Sequence, residues 1–202
     1  MMHHLTRAAS LLALALPVAV SAQKFPTKDT YEATTTNMSP AGLTLRIDVL
    51  DWSDESARKA VIQLLDGDST DVPKALQDLP TVGAVWTEGS AVGHALKYAY
   101  RTATADGGEL ITFVTNKPLD AYSFEKWKID GEQPARDFPY SVIELRLPQN
   151  GTGTGTLSLA ADVRFDGESQ TVMLDSGDAT PTLLTDVKLL PKPYWARDGG
   201  KD

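Results

Sequence analysis

Apolar and polar positions alternate with period two in several runs of this chain. The clearest are Ile143-Glu144-Leu145-Arg146-Leu147 and the run from Leu157 to Phe165. That period places alternate side chains on opposite faces of an extended strand, one face buried and one wet. Between the runs, Pro148 to Gly155 holds three glycines and an Asn-Gly step, which predicts a long turn and therefore a β-hairpin. The same alternation marks residues 43–49. Further strands are predicted over 31–38 at a sheet edge, 82–87, 95–104, 110–115, 170–175 and 183–189. Within 95–104, Leu96, Tyr98 and Tyr100 alternate with Lys97 and Arg101. Asp106-Gly107-Gly108-Glu109 predicts a tight hairpin turn, and the nearly all-apolar run 110–115 predicts a central strand covered on both faces.

One segment breaks the period. Ala57, Ala60, Val61, Leu64 and Leu65 recur at helical spacing, which predicts a helix over 54–65 with Ser53 as its cap and acids in its first turn. A shorter helix is predicted from about residue 70 or 71, tolerating Pro73 in its first turn, pointing Leu76 and Leu79 inward and stopping at Pro80. The pattern predicts an α+β fold: an antiparallel β-sandwich or incomplete barrel of about eight or nine strands with an inserted helical hairpin. Residues 116–138 show no readable period.

Arg7, the apolar run from Ala8 to Val20 and the small residues around Val20-Ser21-Ala22 read as a signal peptide spanning 1–22, cleaved after Ala22. Residues 23–190 then form a single globular α+β domain, large enough to bury a core, and 191–202 a polar tail. The mature chain is expected to be exported, to the periplasm or outside the cell, with no membrane span. It has no cysteine, so packing alone stabilises it. The formal charge of −8, with scattered acids, argues against nucleic acid and anionic lipid as partners.

Elimination narrows the chemistry. His3 and His4 leave with the leader, so His94 is the last histidine, and neither a cysteine nucleophile nor a multi-histidine zinc site can be built. Asp66, Asp68 and Asp71 crowd one loop, but the glycine and the bidentate glutamate of a calcium loop are missing, and helix capping accounts for these acids. The Gly-Thr loop lacks the lysine and the following helix of a phosphate-binding loop. No cofactor, metal or catalytic residue is assigned. The candidate binding residues are Trp86, Glu88 and His94, around a glycine-containing loop, with Tyr98 and Arg101 on the next strand, because aromatic walls with a few polar groups suit ligands. Trp52, Trp127 and Trp195 are further aromatic candidates, Trp195 as a clip for the tail.

Several landmarks occur together: Asp51-Trp52-Ser53-Asp54-Glu55, Leu76-Gln77-Asp78-Leu79-Pro80-Thr81-Val82-Gly83, Leu96-Lys97-Tyr98-Ala99, Asp106-Gly107-Gly108 and Pro139-Tyr140-Ser141-Val142-Ile143-Glu144-Leu145-Arg146-Leu147. Over about 43–187 the chain resembles a family of exported bacterial proteins without an assigned activity. The resemblance implies no cofactor or site residue. The residues themselves favour a non-catalytic exported module that binds a small ligand or a protein partner, on a sheet face or in a mouth walled by aromatics. The alternatives are a hydrolase using His94 with Glu88 or an unidentified carboxylate pair, and a structural or assembly factor of the cell envelope.

Overall fold

The structure, a computed structural model, describes residues 27–37, 42–65, 72–90, 92–119, 140–158, 162–166, 171–175 and 181–192. The proposed leader, the Asp66, Asp68 and Asp71 loop, Trp127 and Trp195 lie outside the described residues, as does most of 116–138.

The described residues form ten strands: β1 Asp29–Thr35, β2 Thr44–Val49, β3 Gly83–Thr87, β4 His94–Ala103, β5 Glu109–Thr115, β6 Val142–Leu147, β7 Gly153–Ser158, β8 Asp162–Asp166, β9 Thr171–Asp175 and β10 Thr182–Leu189. Helices α1, Glu55–Leu65, and α2, Val72–Asp78, lie between β2 and β3. Eight strands close into an antiparallel barrel in the order β1-β10-β7-β6-β5-β4-β3-β2, and β8 and β9 form a separate two-stranded sheet. The sandwich expectation is thereby corrected, and the barrel is complete. Its seam is β1, which is no edge strand: Tyr31 stands opposite Ile47 of β2 and also opposite Leu189 of β10. Alternation gives each strand a dry and a wet face in either architecture, but only this pairing of first and last strands removes the edges.

Inward positions carry the core. Leu45, Ile47, Val85, Leu96, Ile111, Phe113, Ile143, Leu145 and Leu157 are fully buried in one apolar cluster running through the barrel. An eight-stranded barrel has an interior just wide enough for such side chains to fill. A second cluster lies outside it, where Val61 of α1 and Val72 and Leu76 of α2 cover Tyr98, Val114 and Val142. The helical pair therefore seals the outer face of β4, β5 and β6.

A β-bulge decides which tyrosines go there. The β4–β5 register slips between Leu96 and Tyr98, so Leu96 points into the barrel whereas Tyr98 and Tyr100 belong to the outer cluster. An extra residue in one strand shifts the phase of everything after it. Lys97, at the bulge, donates from Nζ to the carbonyls of Gln77 at 3.1 Å and Leu79 at 2.8 Å, holding the end of α2 with a cation where the helix dipole is negative. The α1 cap also differs from expectation. Asp54 Oδ1 accepts the Ala57 N–H at 2.8 Å, while Ser53 is engaged with Ala99 of β4 through both its backbone N–H and its hydroxyl. A serine tied into a sheet is not available to cap.

Candidate functional site

The five candidate residues do not converge. Trp86 faces outward on β3 opposite Arg46, with Gly93 packed so closely on its indole that a Cβ there would lie 2.9 Å from the ring. Glu88 closes the β2–β3 end: its N–H donates to the Thr44 carbonyl, and its carboxylate accepts the Thr44 N–H at 3.0 Å. His94 is buried at the inner start of β4, opposite Val85, and no hydrogen bond joins it to Glu88. Tyr98 is buried under the helices, where desolvation, partly offset by the nearby Arg58 cation, raises its phenol above the ordinary value. Arg101 lies at the opposite end of the barrel from His94.

That end is closed by aromatics. Trp52, following β2, seats edge-on to Tyr31 at 6.4 Å and tilts over Phe113 at 6.3 Å. Its indole N–H donates to Asp29 Oδ2 at 2.9 Å. Arg101 covers the outer face of the indole, 4.7 Å from its centre, and stands 3.8 Å from carboxylate oxygens of both Asp29 and Glu109. The guanidinium thus serves as both a cation–π lid and the counter-ion of two acids. Beneath it the Tyr31 hydroxyl is buried without a properly formed hydrogen bond. Burial raises its pKa most, the Asp29 and Glu109 carboxylates raise it further, and Arg101 pulls the other way. The phenol stays neutral, and the arrangement is a plug rather than an open mouth.

The opposite end is polar and also buried. Thr115 Oγ1 receives the Ser141 N–H at 2.8 Å and donates to the Lys117 carbonyl at 2.6 Å, while Ser141 Oγ accepts the Leu119 N–H at 3.0 Å. These hydroxyls satisfy the backbone where β5 leaves the barrel.

Among the described residues an open concavity lies on the outer wall. Strands β6, β7 and β10 present a groove of about 430 Å³ whose lining includes Leu110, Glu144, Thr154, Thr156 and Leu183. The sequence builds it by alternation. Gly153 and Gly155 occupy the inward phase of β7, opposite Val187 and Leu145, and Thr154 and Thr156 occupy the outward phase. Glu144 sits across from Thr156 on one side and Thr112 on the other. Among the described residues its carboxylate makes no hydrogen bond or ion pair, and desolvation alone raises its pKa. Its neighbour Arg146 is already engaged with Asp106 at 3.3 Å. The groove therefore holds one acid without a counter-ion among hydroxyls and aliphatic side chains, with Arg146, paired to Asp106, also on its lining.

The sign of that desolvation sets a stability test. Below the unfolded value, 4.5, Glu144 is protonated in both states and costs nothing. As pH rises through the higher folded value, the folded state resists ionisation more than the unfolded state does, and stability is lost. Glu144→Gln is therefore expected to match the native protein near pH 4 and to exceed it at pH 7 by up to about 1 kcal/mol, measured by urea unfolding at both pH values. A native protein more stable than the variant at pH 7 would show that the carboxylate has a stabilising partner.

Among the described residues there is no group of three or more metal-ligating side chains, and no helix is long and apolar enough to cross a membrane. Compared with protein-family models, curated proteins and solved structures, the chain matches none. Glu144 was legible as an outward residue of a strand, but its isolation depends on two threonines that enter from the glycine-rich segment, whose composition suggests a loop.

Proposed function

We propose that this chain is an exported, non-catalytic module that holds a small ligand in the groove on the outer face of β6, β7 and β10. The observation that carries this reading is the groove with its unpaired Glu144. Among the described residues the barrel interior is packed with side chains and the aromatic end is plugged by Trp52 under Arg101, whereas the outer face of β6, β7 and β10 offers an open concavity. Its volume, about 430 Å³, falls in the range of small-molecule sites. The hydrolase alternative built on His94 and Glu88 draws no support from the geometry, because the Glu88 carboxylate is committed to the Thr44 N–H.

Native mass spectrometry of protein exported through its own leader and purified gently from the source cell tests the proposal. The expected result is an added mass that vanishes on denaturation and is missing from Thr156→Trp, whose indole would fill the groove. A chain that flies bare, or an adduct that Thr156→Trp retains, would overturn the groove as the site.

A further inference from the structure

We infer that the ligand of this groove carries a primary ammonium group on an aliphatic stem, with Glu144 as its counter-ion. The inference rests on the groove reading and adds the chemistry of the occupant. Three observations support it. First, the charges of the groove do not cancel: Arg146 spends its guanidinium on Asp106, while Glu144 has no partner among the described residues. Burial without a counter-charge is costly, and an incoming cation removes that cost. Second, the acceptors suit an ammonium. Thr156 lies directly across the ladder from Glu144, and Thr154 is next on the same face of β7. Neither hydroxyl makes a side-chain hydrogen bond among the described residues, so a carboxylate and two hydroxyl oxygens are available to the three N–H donors of an ammonium. Third, the flanks are aliphatic. Leu110 and Leu183 line the groove, and Leu183 is 46% exposed, an open apolar surface beside the acid that an alkyl stem would cover. A carboxylate or phosphate ligand would meet Glu144 with like charge.

The test is isothermal titration of the mature chain at pH 7.5 with hexylammonium, 1-hexanol and hexanoate, probes that share a stem and differ in head group. Hexylammonium is expected to bind about tenfold or more tighter than hexanol, the worth of one charge-assisted hydrogen bond, and hexanoate more weakly than hexanol. In Glu144→Gln the advantage of hexylammonium over hexanol should disappear. Equal affinities for hexylammonium and hexanol in the native protein, a preference for hexanoate, or no binding of hexylammonium would each overturn the ammonium inference. The groove reading fails separately, if hexylammonium binds but Thr156→Trp does not reduce its affinity.

Discussion

Alanine at Gly153 is expected to lower stability by about 3 kcal/mol and the melting temperature by roughly 6–12 °C, although it adds a single methyl group. Gly153 is the first residue of β7 and faces into the barrel opposite Val187. A Cβ built there lies 2.2 Å from the Arg146 carbonyl oxygen and 3.1 Å from the Leu147 Cα. Both are backbone atoms of the neighbouring strand, so no side chain can rotate away, and either the strand moves or the ladder bond is strained. Gly151, two residues earlier in the β6–β7 turn, makes the control. It adopts a φ of +102° with open space around its Cα, so alanine there strains only the backbone, at about 1–2 kcal/mol. Thermal unfolding of the two variants side by side separates close approach from left-handed geometry. A Gly153→Ala protein as stable as Gly151→Ala would show that the two strands can part at no cost, and would remove the steric reason for glycine in β7.

That pair of glycines also marks where the sequence could and could not be read. The strands 43–49 and 143–147 and the first helix are legible because their periods are regular and their neighbours are local. Three glycines between residues 151 and 155 look like one loop, since composition cannot distinguish a glycine chosen for φ from one chosen for lack of a Cβ. Only Gly151 is the former. The phase slip at Lys97 was invisible for a related reason: a bulge inserts one residue without changing composition, and it sends Tyr98 outward beneath the helices although the alternation reads on unbroken. The closure of the barrel depends on Tyr31 meeting both Ile47 and Leu189, a contact across most of the chain to which no local pattern points. The site was illegible for the same physical reason as the closure. Trp86, Glu88, His94, Tyr98 and Arg101 are near in sequence and combine aromatic with polar groups. Barrel geometry separates them onto an outer wall, a buried polar end, a helix-covered face and a plugged rim. Glu144 and Thr156 are twelve positions apart and meet across one rung of the ladder.

Phe113→Ala carries the largest expected loss in the barrel itself, about 3–5 kcal/mol, which lowers the melting temperature by about 10 °C or more. The ring is fully buried, lies tilted against Tyr31 at 6.1 Å and Trp52 at 6.3 Å, and is flanked across the ladder by Ala99 and Ile143. Ala99 is too small to fill the void, and Trp52 is held in place by Asp29 and Arg101, so the site collapses poorly and the cavity term stays large. Truncating exposed Leu183 should cost no more than about 0.5 kcal/mol by the same measurement. A Phe113→Ala loss near that of Leu183→Ala would mean that the plug rearranges freely and that the aromatic end is an openable mouth. The binding readout distinguishes the two ends of the argument. The proposed contacts of the groove, Glu144, Thr154 and Thr156, face the outer wall while Phe113 faces the interior, so Phe113→Ala held well below its melting temperature should bind hexylammonium as the native protein does. Leu183→Ala should show the opposite pattern, with stability kept and affinity weakened, because the plug at the rim and the groove on the wall draw on different side chains of one barrel.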